Sequence, residues 1–135
     1  MPSHFHFTLK QEKDNGIRFF IQKLTNSFAH YLNTKNESYG PIFTGNFKAV
    51  RVANDEQLLH LSRYIHLNPV TDYLVKKPED YPYSSYRVFL GLESSSFIDP
   101  TLVMNDYTPE SYRKFVEGRI DYQRELDRIK HLTLE

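Results

Sequence analysis

The stretch RYIHLNPV, residues 63–70, closes a segment with helical periodicity. Asn54 precedes that segment as a typical N-cap, and Asp55 and Glu56 suit the positive end of a helix. The segment's apolar stripe, which predicts packing on a sheet, consists of Leu58, Leu61 and Ile65. Pro69 predicts the end of the helix near Leu67, because the residue before a proline is disfavoured in helical conformation.

Tyr64 and Asn68 are four residues apart in this stretch and would therefore share one helix face, together with His60. The spacing alone leaves two interpretations open. Tyr64 is either a reactive phenol or an aromatic residue at the edge of the core, and Asn68 is either a ligand or a turn former before a proline. His60 and His66 are candidates for support of a site, although a structural role is the simpler interpretation of each.

Outside this stretch the pattern predicts an α+β protein. Residues 4–10 and 42–52 read as strands, the second with a bulge at Gly45, and a long amphipathic helix is predicted over 17–33. Thr108-Pro109 predicts the start of one or two C-terminal helices, and Gly118 is the candidate position for a break between them.

The composition excludes several classes of protein. A chain of 135 residues fits one domain, and the absence of cysteine excludes disulfides, thiolate metal sites and thiol catalysis. No apolar run reaches membrane-spanning length, and the first residues do not resemble a signal peptide, so we expect an intracellular protein without a membrane partner.

The charge is zero overall but uneven. Residues 1–53 contain seven Lys and Arg against three Asp and Glu, a balance of +4, and residues 54–135 contain ten against fourteen, a balance of −4. A basic half is compatible with a face that binds a polyanion, and it is equally compatible with an ordinary solvated surface.

The sequence contains a single His-x-His motif, His4-Phe5-His6. On a strand both imidazoles would emerge from the same face, where they could bind a divalent cation. Taken alone, the motif is also compatible with two exposed histidines that bind nothing.

Together these motifs resemble the single-tyrosine (Y1) transposases of the IS200/IS605 type, and most closely the REP-associated tyrosine transposases. The segments that carry the resemblance are PSHFH at 2–6, GPIFTGNFKAV at 40–50, RYIHLNPV at 63–70 and PEDYPYSSY at 78–86. The resemblance implies a catalytic domain over 1–90 and a C-terminal helical tail over 91–135. It also implies a ferredoxin-like/RRM-like fold that is truncated here at the N-terminus, with the first strand, helix and strand missing.

The resemblance further implies a role for each matched residue. Tyr64 would be the nucleophile that forms a 5′-phosphotyrosine intermediate, and His4, His6 and Asn68 would bind a divalent metal, Mg²⁺ or Mn²⁺. Two positions depart from the family pattern: Ser3 replaces an asparagine, and Asn46 stands where an arginine is common.

The expected partner is single-stranded DNA with hairpins or palindromic repeats, in the bacterial cytoplasm with the nucleoid, and no small-molecule substrate is expected. A homodimer is left open. Expected phosphate contacts are Lys10, Lys23, Lys48, Arg51 and Arg63. Two other classes stay open: an inactive, domesticated protein that binds hairpin DNA, and a small interaction domain without a role in nucleic-acid binding.

Overall fold

A computed structural model of the chain describes the backbone of residues 1–133 and the side chains of residues 1–127. About 51% of the chain is helical, and the described residues contain no β-strand. The helices are α1 (Gly16–Lys35), α2 (Asp55–Thr71), α3 (Tyr86–Phe89), α4 (Thr101–Met104), α5 (Pro109–Glu117) and α6 (Ile120–Thr133), with a 3₁₀ turn at Pro78–Asp80. None of the helices, as far as they are described, is long and apolar enough to cross a membrane.

The prediction of an α+β, ferredoxin-like/RRM-like fold is wrong. Residues 4–10 and 42–52, which were expected to be strands, are irregular. An extended segment becomes a strand only when its N–H and C=O groups pair with a neighbouring strand. Alternating aromatic residues favour an extended conformation, but they do not provide a partner strand. Since the described residues contain no strand, the expectation of a truncated sheet is also wrong.

The chain forms two compact units. The α1 unit comprises residues 7–51 and is built around α1, which confirms the helix predicted over 17–33. Ile21 is the buried residue of this helix, whereas Phe19, Phe28 and Tyr31 remain exposed. The aromatic residues of this unit therefore make local pairs, such as Phe28 with Phe43 at 6.0 Å between ring centres, without forming a closed core.

The α2 unit comprises residues 1–6 and residues 52 onward. Its α2 helix packs against α4, α5 and α6, so the helix predicted to lie on a sheet lies on other helices. Half of the buried cluster around α2 is aromatic, and the cluster consists of Leu67, Tyr86, Phe89, Leu90, Tyr112 and Val116. The predicted stripe of Leu58, Leu61 and Ile65 is only partly buried, and the buried residues of the same helix include Ser62, His66 and Val70.

The start of α2 was predicted correctly and its end was not. Asn54 caps the helix, since its side-chain oxygen accepts a hydrogen bond of 2.8 Å from the Gln57 backbone N–H. The helix then continues through Pro69 to Thr71. Leu67 and Val70 are fully buried in that last turn, and this packing outweighs the local preference of the residue before proline. As a consequence, Asn68 lies one helical turn after Tyr64.

The C-terminal helices begin and break where the sequence predicted. Thr108 forms a capping box with Ser111 at the start of α5, and Gly118 ends that helix before α6. The division into a domain over 1–90 and a tail over 91–135 stays a prediction, and the last two residues of that tail lie outside the described residues. Within the described range, both α5 and α6 pack on α2.

Candidate functional site

One face of α2 lines an open pocket of about 540 Å³ within the α2 unit. His60, Tyr64 and Asn68 contribute to its wall at successive helical turns, as their spacing predicted. His4 lines the same pocket from the N-terminal segment, and Arg119 lines it from the junction of α5 and α6. The pocket therefore collects side chains from three separate parts of the sequence.

Tyr64 lies at the wall of this pocket with 41% of its surface exposed, so a substrate can reach it. Its ring lies 6.5 Å from the ring of His6, measured between centroids, at an angle of 74°. The structure thus places the predicted nucleophile beside one of the two predicted metal ligands, although they are far apart in the sequence.

The rings of His4 and His6 are neighbours, with centroids 5.1 Å apart and planes at 86°. A metal–nitrogen bond is about 2.1 Å long for Zn²⁺, so two imidazoles bound to one ion have centroids roughly 5 Å apart. The Ser3 hydroxyl lies 3.1 Å from Nδ1 of His4. This contact occupies one ring nitrogen and leaves Nε2 as the nitrogen through which His4 could bind a metal.

The environment of His6 favours the neutral imidazole. Burial lowers the pKa of His6, and the neighbouring His4 and the N-terminal amine lower it further. Since only the neutral ring binds a metal, this shift makes His6 a competent ligand at a lower pH than an ordinary histidine.

Asn68 is buried, with 6% of its surface exposed, and its amide is held by a residue that the sequence analysis missed. The side-chain amide of Gln123, on α6, donates to Oδ1 of Asn68 at 3.3 Å and to the backbone oxygen of Tyr64 at 3.2 Å. A carbonyl oxygen has two lone pairs, so Asn68 can accept this bond and still bind an ion. A single glutamine in a polar helix has no local signal that could have indicated this role.

His66 lies on the other side of α2, outside the pocket and inside the core. Its Nδ1 lies 2.9 Å from the Tyr112 hydroxyl, and its Nε2 lies 2.8 Å from the Ser85 hydroxyl. Burial lowers the pKa of His66 to about 3, so the ring is neutral at ordinary pH. These two hydrogen bonds join α2 to α5 and to the residue before α3. The structural interpretation of His66 is therefore the one that its contacts support.

The residues around the pocket fit a divalent metal. Two imidazoles and the amide oxygen of Asn68 are nitrogen and oxygen donors of the kind that first-row divalent ions accept. No group of three or more His, Cys, Asp or Glu that could hold an ion occurs among the described residues. Asn68 lines the same pocket as His4, and its amide oxygen stays the predicted third ligand.

The predicted phosphate contacts divide between the two units. Arg63 lines the pocket beside Tyr64. The other four are exposed and belong to the α1 unit: Lys10, Lys23, Lys48 and Arg51. Their exposure is what a nucleic-acid contact requires and also what any surface charge shows, so their role stays a prediction.

Comparison with known proteins adds no relative: no protein-family model, no curated protein and no solved structure matches the chain. The geometry of the pocket is therefore the basis for the function proposed below.

Proposed function

We propose that the chain is a tyrosine transposase of the IS200/IS605 type, closest to the REP-associated branch, that nicks and rejoins single-stranded hairpin DNA. The observation that carries the proposal is the meeting of the His-x-His segment with the RYIHLNPV helix. His6 lies 6.5 Å from Tyr64 between ring centroids, and His4 lines the same pocket as Tyr64 and Asn68. The resemblance to the Y1 transposases implies that these two motifs form one site, although they lie far apart in the sequence.

In this proposal His4, His6 and Asn68 hold Mg²⁺ or Mn²⁺. The bound ion supplies a Lewis acid that offsets negative charge on the scissile phosphate. The Tyr64 hydroxyl loses its proton to solvent in the open pocket, and its oxygen forms a bond to phosphorus. The bond from phosphorus to the 3′-oxygen breaks, and that oxygen takes up a proton and leaves as a free 3′-OH.

The product is a 5′-phosphotyrosine on the enzyme. Because the phosphoester is retained, a 3′-OH can attack it and restore the DNA strand without ATP, which is the advantage of covalent catalysis here. The hydrogen bond from Gln123 to the backbone oxygen of Tyr64 helps to hold the tyrosine's helical turn against α6.

The partner in this proposal is single-stranded DNA that contains hairpins or palindromic repeats, and the site of action is the bacterial cytoplasm at the nucleoid. The exposed cations of the α1 unit would add contacts to the DNA backbone. A second copy of the chain is compatible with the proposal, which requires only the residues of a single chain.

The test is a covalent-adduct assay. The full chain is incubated with hairpin oligonucleotides that carry single-stranded extensions, in Mn²⁺, and is then denatured in detergent. We expect a slower-migrating adduct with the wild type and none with Tyr64→Phe. Tyr83→Phe is the matched control, because Tyr83 is 85% exposed and lies outside the pocket.

The outcomes separate the remaining classes. An adduct that persists in Tyr64→Phe contradicts the assignment of the nucleophile. Hairpin binding without an adduct in any variant favours the domesticated DNA-binding protein. Failure to bind the hairpins even at low salt favours an interaction domain without a role in nucleic-acid binding.

A further inference from the structure

Two arginines, Arg63 and Arg119, line the same pocket as Tyr64. Arg63 and Arg119 form no ion pair with any carboxylate among the described side chains, in contrast to Arg87 and Arg113. Arg119 was not among the cations singled out from the sequence, because it follows a helix break and has no motif around it.

Both guanidinium groups are positioned by aromatic rings. The guanidinium carbon of Arg63 lies 4.4 Å from the ring centroid of Phe115, and that of Arg119 lies 5.2 Å from the ring centroid of Tyr122. Stacking on a ring uses the flat face of a guanidinium and leaves its N–H groups free to point outward. Arg63 uses one of these groups, since its Nη2 donates to Nδ1 of His60 at 2.9 Å. The remaining groups are available to an acceptor.

The two positive charges disfavour one another. Burial lowers the pKa of Arg63, and the charge of Arg119 lowers it further. Asp72 and Asp127 also line the pocket. An arrangement of two neighbouring guanidiniums is stabilised when an anion with several oxygens accepts hydrogen bonds from both.

The backbone adds to the positive potential at this position. The Arg119 carbonyl accepts the hydrogen bond from the Gln123 N–H at 3.0 Å, so Arg119 immediately precedes the first turn of α6. The N-terminal end of a helix of 14 residues carries a partial positive charge, which favours an anion there.

We propose that Arg63 and Arg119 together bind a single phosphate group in the pocket, next to the position that Tyr64 attacks. In single-stranded DNA this group is a phosphodiester adjacent to the scissile one, and this assignment to DNA rests on the proposed function. The recognition of a phosphate by the two guanidiniums does not rest on the proposed function.

The test uses two probes and the full chain in EDTA, so that neither metal nor cleavage contributes. The first probe is inorganic phosphate, followed by the NMR signals of the arginine Nε–H groups. The second is a fluorescent hairpin oligonucleotide with a single-stranded extension, measured at several salt concentrations. The variants are Arg63→Gln, Arg119→Gln, the double variant and Arg119→Lys. Arg87→Gln is the control, because that arginine pairs with Glu93 outside the pocket.

We expect either glutamine variant to lose phosphate binding and to reduce the slope of log affinity against log salt by about 0.7, the value for one phosphate in a single strand. The double variant should reduce the slope by no more than the single variants, because both arginines contact one group. Arg119→Lys should be intermediate, since it keeps the charge but loses the fork of donors.

Three results would overturn the proposal. The first is that Arg119→Gln binds both probes as well as Arg87→Gln does. The second is that the wild type binds neither probe. The third is that the reductions in salt slope of the two single variants add in the double variant. If inorganic phosphate binds through these arginines while the oligonucleotide does not bind at all, the phosphate site stands and the proposed function on DNA fails.

Discussion

The side-chain amide of Gln123 on α6 donates a hydrogen bond of 3.3 Å to the side-chain oxygen of Asn68 on α2. The bond is buried, and it links the C-terminal helix to the residue expected to be the third metal ligand. The same amide also contacts the backbone of Tyr64. Gln123 is therefore a positioning residue for both the expected ligand and the turn that carries the expected nucleophile.

Replacing Gln123 by methionine, which has a similar length but no donor, should weaken metal binding. Hydrogen-bond partners of metal ligands typically contribute about 10–100-fold to metal affinity or activity, and we expect a loss at the low end of that range for Mn²⁺. Isothermal titration with Mn²⁺ measures it, with Gln22→Met, an exposed position on α1, as the control. Unchanged Mn²⁺ affinity in a folded Gln123→Met variant would show that Gln123 is only structural.

Removing His6 should weaken Mn²⁺ binding by at least about tenfold, because a direct ligand matters no less than its hydrogen-bond partner. His30→Ala removes an exposed histidine from α1 and should have no effect. Because the pKa of His6 is lowered from 6.5, the ring is more than half neutral at pH 6.5, and we expect the wild type to retain Mn²⁺ affinity there. Equal affinities of His6→Ala and His30→Ala would exclude His6 as a ligand.

His66 should make the stability of the chain depend on pH. The pKa of His66 is about 3 in the folded chain and about 6.5 when unfolded, so the unfolded chain takes up the proton first as the pH falls. The contribution of neutral His66 to the free energy of unfolding is complete above pH 6.5. It should decrease by about 1.4 kcal/mol per pH unit between 6.5 and 3.

Urea unfolding of the wild type and of His66→Gln at pH 7.5, 5.5 and 4.5 measures this contribution. We expect the difference in unfolding free energy between the two proteins to shrink as the pH falls. Protonation of carboxylates lowers the stability of both proteins alike and therefore cancels in this difference. A difference that stays constant over this range would mean that His66 is not buried in neutral form.

Asn54→Ala should destabilise the chain by about 1 kcal/mol, because the cap of α2 is lost and the Gln57 N–H is left without its acceptor. Urea unfolding measures the change, and the dependence on urea concentration should keep its slope. Asn26→Ala, an exposed position within α1, is the control and should not destabilise the chain. A cost of less than a few tenths of a kcal/mol would contradict the capping role.

Local chemistry explains what the sequence predicted correctly. The cap at Asn54, the Thr108-Pro109 helix start and the break at Gly118 depend on hydrogen bonds or torsion angles within a few residues. The common face of His60 and Tyr64, which both line the pocket, follows from the helical repeat alone. These features need no knowledge of the rest of the chain.

Features that depend on distant partners were missed or predicted wrongly. Residues 4–10 and 42–52 have strand-like sequences, but pairing decides whether a strand forms. The helix passes through Pro69 because its last turn is buried against other helices. Gln123 and Arg119 take part in the pocket only because α6 packs on α2, which no pattern within α6 indicates.

The most direct test of the central claim, that Tyr64 is a nucleophile toward DNA, is to map the covalent bond. The adduct formed with hairpin DNA in Mn²⁺ is digested with nuclease and protease, and the peptides are analysed by mass spectrometry. We predict a nucleotide attached through its 5′-phosphate to Tyr64, and to no other residue. A nucleotide on a different residue, or no modified peptide from a preparation that binds the DNA, would contradict the account.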